Sequence, residues 1–425
     1  MMSDNSTTMP MDPVASSSLS SFYRNMTTTE RRTFWACAGG WGLDGLDFMI
    51  YPLIIVTIMH QWSVGAGQAG FAATLTLLAS AVGGWAAGLL SDRIGRVKTL
   101  QITILWFSLF SFLCAFAQNF DQLMVLRALL GFGFGGEWAA GAVLMGETIR
   151  PQFRGRAVGS VQSAWAIGWG IAVIAQAIIY SALPAETAWR AMFAIGVIPA
   201  LMVLFIRRNV PEPEIAVAAR KKAVRPSILA IFDPAVLRTT ILASLLSVGA
   251  QGGYYAVIFW LPAFLHADKH LSVVGSTPYL AILIIGSFIG YLSGAWLADR
   301  LGRRMLFLLF SLGAIATILA YTQLPIPNEV TFILGFPLGF FASGYFSGMG
   351  PFLTELFPTS IRGSGQGFTY NFGRAIGALF PALIGYIKYS VGFGNAIAIF
   401  AVGAYALFFI AAFALPETKD RVLTA

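Results

Sequence analysis

Five ionisable residues stand inside long apolar stretches of this 425-residue chain: Asp44, Asp47, Arg127, Glu137 and Arg374. In hydrocarbon such a group costs roughly 2.5–3.5 kcal/mol on insertion scales, so each implies work done on a charge or a proton. A carboxyl group in a half-dry cavity can exchange a proton with water. An arginine beside it stays charged and can trade partners between that carboxylate and another anion. Asp44 and Asp47 are three residues apart and so lie nearly on one helix face. Counting residues from opposite surfaces puts Asp47 about 21 Å up one span and Arg127 about 8 Å down another, at similar depth, where the two are expected to pair. Glu137 follows the glycine run Gly131, Gly133, Gly135, Gly136, which is a helix-packing signal. It reads as a second proton stop or the partner of a cytoplasmic-side arginine, and equally as a packed, protonated glutamate. Arg374 has the fork geometry that suits a carboxylate and is a candidate anchor for one. Gln162, Trp165, Gln251, Tyr254, Tyr255, Tyr345, Tyr370 and Asn371 are candidates to complete a mostly apolar binding cavity around it.

These residues need spans to carry them. Hydrophobic residues make up 57% of the chain and charged residues 11%, whereas a soluble domain carries about 25% charge. Too little polar surface remains for a water-soluble globule, so the expected class is an all-α polytopic membrane protein. The spacing predicts twelve spans of about 20 residues. The first six cover roughly 33–59, 69–90, 98–118, 122–146, 157–181 and 188–206, and the second six 239–265, 278–297, 304–322, 330–353, 366–389 and 393–414. The domains expected are a cytoplasmic tail 1–32 without a cleavable signal, a bundle 33–206, a linker 207–238, a bundle 239–415 and a tail 416–425. By this topology 22 of the 27 Lys and Arg face one side and 3 (Arg190, Lys269, Lys388) the other, with Arg127 and Arg374 inside spans. That bias places both termini in the cytoplasm and accounts for the net charge of +8 without nucleic acid. Cys37 and Cys114 sit in apolar runs away from His60, His266 and His270, so neither a disulfide framework nor a metal site is expected. There is no phosphate-binding glycine loop, hence no ATP, and no cofactor or enzymatic activity is expected.

The chain also repeats itself. Gly88, Asp92, Arg93, Gly95 and Arg96 return as Gly294, Asp299, Arg300, Gly302, Arg303 and Arg304; Glu147 and Arg154 return as Glu355 and Arg362; Pro211-Glu212 returns as Pro416-Glu417. Three landmarks at nearly one offset imply two six-helix halves in parallel orientation, with the binding site between them at mid-depth. The doubled loop signature resembles that of the major facilitator superfamily of transporters over the whole chain. In that superfamily the loop charges and glycines (Gly88, Asp92, Arg93, Gly95, Arg96, Glu147, Arg154 and their repeats) gate the cytoplasmic side, holding the two halves together in the outward-facing state.

Asp44-Gly45-Leu46-Asp47 resembles the D-G-[FY]-D motif of the aromatic acid:proton and sialate:proton symporters, with Leu46 in place of the aromatic residue. The resemblance implies that Asp44 and Asp47 couple protons and that Arg127 takes part in proton-coupled uptake; Glu137 joins the proton-coupling candidates from its place in an apolar span alone. Antiporters of the superfamily usually carry a Gly-Pro in span 5; no proline falls between Val158 and Ser181, which leans toward symport. The expectation is a monomeric transporter of the bacterial inner membrane. It takes up a small organic acid anion, such as an aromatic acid or a muconate-like carboxylate, with protons, by alternating access. The alternatives are a sialate or short monocarboxylate symporter, and then a neutral sugar symporter, since Pro416-Glu417-Thr418 resembles a sugar-porter ending. A receptor of the same fold would need a longer signalling tail.

Overall fold

A computed structural model describes residues 23–150, 154–212, 228–358 and 361–419. They form twelve membrane-crossing elements and, among the described residues, no strand. The first half holds α1 (Thr28–Trp62), α2 (Ala66–Ile94), α3 (Arg96–Cys114), α4 (Phe120–Thr148), α5 (Arg154–Ala182) and α6 (Ala185–Ala194, running through Ile195–Val197 into Pro199–Asn209). The second holds α7 (Pro234–Ile258 with Leu261–Ala267), α8 (Thr277–Leu301), α9 (Arg303–Gln323), α10 (Asn328–Ser343 with Phe346–Leu356), α11 (Arg362–Gly377 with Leu379–Val391) and α12 (Phe393–Ala414). Ten of these are long and apolar enough to cross a bilayer by themselves, and α4 and α11 complete the expected twelve. Most of the expected linker (213–227) and tails (1–22, 420–425) lie outside the described residues. The second half begins earlier than expected, with Asp233 capping α7 at Pro234.

The repeat is visible in backbone geometry. Gly95 (φ 114°) and Gly302 (φ 95°) turn α2 into α3 and α8 into α9. This is a conformation that a Cβ disfavours, which is why both loops carry glycine at that point. Each turn leaves amides at the start of the next helix, and a glutamate from the end of the same half satisfies them. Glu212 accepts from the Arg96 and Val97 amides at 2.6 and 3.0 Å, and Glu417 from those of Arg303 and Arg304, both at 3.0 Å. The Pro-Glu pairs therefore serve as helix caps for α3 and α9. Small residues also recur where α2 crosses α4 and α8 crosses α10. A side chain at Gly83 would strike the Phe132 backbone, and one at Gly290 the Phe340 backbone.

The halves meet along two seams, α2 against α11 and α5 against α8. The end of the molecule carrying Gly95 and Gly302 is called here the linker end, and the opposite end the far end. At the far end the α2–α11 seam is shut. The Ala66 amide donates to the Tyr389 hydroxyl at 3.1 Å and Thr74 to the Ala378 carbonyl at 2.6 Å, while Gly70 and Gly385 pack on backbone across the seam. Toward the linker end, Gly88 and Gly367 of the same two helices have no neighbour among the described residues within 4 Å of an added Cβ. Among the described residues the seam is thus shut at the far end and shows no such contact at Gly88 and Gly367.

The expected gate residues form clusters at the linker end. Arg303 reaches Asp299 at 3.4 Å and Glu355 at 3.2 Å, and Thr418 donates to Glu355 at 2.5 Å. Arg362 donates to the Thr354 carbonyl at 3.0 Å, and Arg300 lies 4.3 Å over the Trp296 ring. All of these contacts stay inside the second half. In the first half Arg96 donates to the Ser91 carbonyl at 3.1 Å, Arg93 is exposed, and Glu30 pairs with Arg150 at 2.9 Å. The side chains of Asp92, Glu147 and Arg154 lie outside the described residues.

Candidate functional site

Seven helices from both halves send side chains into one space between the halves. Trp41 and Phe48 come from α1, Phe134 from α4, Gln162 and Trp165 from α5, Gln251, Tyr254 and Tyr255 from α7, Tyr291 from α8, Phe346 from α10, and Tyr370 and Arg374 from α11. The walls are flat ring faces. Phe48 stacks on Phe134 with centroids 5.5 Å apart, and Trp165 packs on Trp41 and Phe48 at 5.0 and 5.5 Å. Polar groups fix the rings in place. Trp165 donates to the Tyr254 hydroxyl at 2.7 Å, one half to the other, and Gln251 donates to the Tyr370 carbonyl at 2.7 Å while accepting from Tyr255 at 3.2 Å.

Arg374 is the charged group in this wall. Its guanidinium lies 5.3 Å from the Tyr370 ring centre and 5.6 Å from that of Phe134. Nη1 donates to Ser80 of α2 at 2.9 Å, and Nε has no hydrogen-bond partner among the described residues. A buried donor left open on a fixed guanidinium can receive a carboxylate. The arrangement of flat apolar walls, one fork-shaped cation and two amides fits a small planar anion.

The three acids occupy two places. Asp47 accepts from the Ser111 hydroxyl of α3, with Gly196 of α6 packed over the bond. Arg127 is close enough to act on Asp47 electrostatically, yet no ion pair forms between them. Its guanidinium stacks 4.8 Å from the Tyr51 ring instead, with Nε and Nη1 unpartnered among the described residues. The expected direct Asp47–Arg127 pair is therefore corrected. A serine from α3, a helix that sequence gave no reason to include, takes the carboxylate. Asp44 faces Glu137 of α4, carboxyl against carboxyl. Gly40, one turn before Asp44, makes room for the Glu137 carboxyl, since a Cβ there would overlap Oε1.

Of the expected substrate-binding residues, Gln162, Trp165, Gln251, Tyr254, Tyr255, Tyr370 and Arg374 line the cavity. Three do not. Tyr345 is turned into the second half, where it donates to the Ala250 carbonyl at 2.7 Å and meets Tyr405 at 3.3 Å. Asn371 faces Gly84 on the α2–α11 seam and donates to the Gly367 carbonyl at 3.0 Å. Arg127 lies behind Tyr51, away from the cavity wall. Trp41, Phe48, Phe134, Tyr291 and Phe346 are lining residues that sequence reasoning missed, because an aromatic in an apolar span has no signal that separates cavity wall from core.

A sequence model of the Major Facilitator Superfamily matches residues 37–333 and 294–424. The chain is 41% identical over 399 residues to a probable 4-methylmuconolactone transporter of Cupriavidus pinatubonensis, covering 94% of this chain and 93% of that protein. It is 29% identical over 369 residues to the cis,cis-muconate transport protein of Acinetobacter baylyi, covering 83% and 86%. Among solved structures, the proton:xylose symporter XylE bound to 6-bromo-6-deoxy-D-glucose superimposes with a TM-score of 0.74 at 17% identity, over 93% of this chain and 98% of that one.

Proposed function

This chain belongs to the Major Facilitator Superfamily, and from that premise we propose that it imports a small, planar organic acid anion together with protons. The observation that carries the reading is Arg374, a buried cation with an open Nε set in a cavity otherwise walled by aromatic rings and two amides. A conjugated carboxylate offers the matching parts: a flat apolar body for the rings and two oxygens for the guanidinium. The two relatives above are named for a muconolactone and a muconate, which belong to the same chemical class. A neutral sugar would leave the buried cation without a counter-charge. The Pro-Glu pairs that resemble a sugar-porter ending cap helices through Glu212 and Glu417 and do not line the cavity, so they carry no argument for a sugar.

Transport proceeds by alternating access. The loop charges make the linker end cytoplasmic, so the shut far end is the outer one and the structure stands on the inward-facing side of the cycle. Rocking the halves breaks the outer contacts at Ala66–Tyr389 and Thr74–Ala378 and opens the cavity to the other side. The buried acids of α1 and α4 supply the proton coupling. The protein acts as a monomer in a bacterial inner membrane, with both termini in the cytoplasm. Thermal unfolding of the purified protein against a panel of carboxylates, their amides and sugars tests the substrate class. A bound ligand raises the melting temperature by mass action. Stabilisation by cis,cis-muconate or benzoate but not by xylose supports the reading, and the reverse order overturns it.

A further inference from the structure

The two buried acid sites differ in what surrounds them. Asp47 has a hydroxyl donor, Ser111, and the field of Arg127. Asp44 has neither: both of its oxygens are fully buried and lack any donor among the described residues, and so does Glu137 Oε2. What Asp44 has is Glu137, whose carboxyl fills the notch at Gly40 on the same face of α1. Two bare carboxylates in contact away from water would repel strongly and lose their hydration. One proton between them removes most of that cost and supplies the missing hydrogen-bond donor. We propose that Asp44 and Glu137 share the transported proton, while Asp47 remains a fixed anion that holds α1 against α3 and α4.

The surroundings make this site responsive to substrate. The charged and titratable groups that face it are Asp47 and Cys37 of α1 and Arg374 of α11. The other helices packed on this stretch of α1 bring uncharged atoms: Ala164 and Trp165 of α5 and Met202 of α6. Among the described residues Arg374 is thus the one cation of the facing groups, and it is also the proposed substrate anchor. When a carboxylate neutralises Arg374, the pair loses the cation that would support a second negative charge, so proton and substrate bind together. When the substrate leaves toward the cytoplasm, Arg374 supports the dianion, and the pair passes its proton to water there. A hydronium ion on the outer side reloads it, taking the pair from two negative charges to one. No other co-reactant is needed.

This inference rests on the transport reading, and two measurements on the full-length protein separate the two. The first needs no substrate. Infrared difference spectra taken across a pH step on the protein in lipid should show the carbonyl stretch of a protonated, buried carboxylic acid. The band should persist in Asp47→Asn and disappear in the Asp44→Asn/Glu137→Gln double variant. Loss of the band in Asp47→Asn, or its full retention in the double variant, overturns the shared proton. The second uses cis,cis-muconate as probe in proteoliposomes with an alkaline interior. The double variant should bring the accumulation ratio to unity while keeping counterflow, and Asp47→Asn should keep a ratio above unity even if it is slow. A double variant that still accumulates muconate, or an Asp47→Asn that only exchanges it, overturns the assignment. Wild-type protein that moves no muconate while the infrared result holds counts against the substrate reading alone.

Discussion

Arg374 of α11 donates to Ser80 of α2 at 2.9 Å, so the guanidinium proposed to hold the substrate also bridges the two halves of the protein. The bond fixes the guanidinium, and its Nε has no hydrogen-bond partner among the described residues. Arg374→Lys keeps the charge but loses the planar fork. A charge-assisted hydrogen bond contributes about 1.5–3 kcal/mol, so the lysine variant should bind a planar carboxylate roughly 10–100-fold more weakly, at 1.4 kcal/mol per tenfold. Binding of the corresponding amide should change far less. Calorimetry with acid and amide on wild type and variant checks this; equal losses for both would remove the anion from the account.

Gly302 tests the repeat as a structural unit. Its φ of 95° is strained for any residue with a Cβ, and a side chain there would also strike the Glu417 carboxylate. Gly302→Ala should destabilise the protein by about 1–3 kcal/mol, the usual cost of such a backbone conformation. Gly95→Ala, which meets the same backbone constraint, should behave alike in thermal unfolding. A neutral outcome at both sites would mean that the turns relax without loss.

Glu417 gives a pH dependence with a definite sign. Partial burial alone would push its carboxyl up, but the backbone amides of Lys419, Arg303, Arg304 and Thr418 outweigh it and hold the carboxyl below the usual glutamate range. A group depressed in the folded state contributes stability above its unfolded pKa, about 4.3 for glutamate, and loses it as pH falls through the folded value. The gap in melting temperature between wild type and Glu417→Gln should therefore be widest near neutral pH and narrow on acidification. A gap that widens in acid would contradict the capping role.

The far-end seam gives a test of alternating access. Gly70 and Gly385 pack on the backbone of Pro381 and Ala66 across it. Gly70→Val should keep the seam from shutting and favour the outward-open form. With Cys37 and Cys114 both buried, a cysteine introduced at Thr74 would report the change as faster labelling by a membrane-impermeant maleimide from outside. Labelling no faster than in the Gly70 background would count against the seam as a gate.

The sequence made some of this readable and hid the rest, for physical reasons. Charges such as Asp44, Glu137 and Arg374 stand out in apolar spans because lipid makes them costly, and Gly95 and Gly302 stand out because they repeat with their neighbours. The partners of those charges were not legible. Ser111 and Ser80 look like ordinary span serines, and only the fold, with α3 packed on α4 and α6 and α2 packed on α11, brings them to Asp47 and Arg374. Tyr345 and Phe346 are adjacent in sequence, yet the first is bonded into the second half and the second lines the cavity. Spans this uniformly apolar carry little periodicity to say which face is which.

In the proposed cycle a planar organic anion and protons cross the membrane together. The most direct test is uptake of labelled cis,cis-muconate by wild-type protein in proteoliposomes, with the interior made alkaline and the membrane potential clamped at zero. The expected result is accumulation above the external concentration that collapses on adding a protonophore and is not competed by xylose. Accumulation of xylose under the same gradient, with muconate neither taken up nor competing, would contradict it.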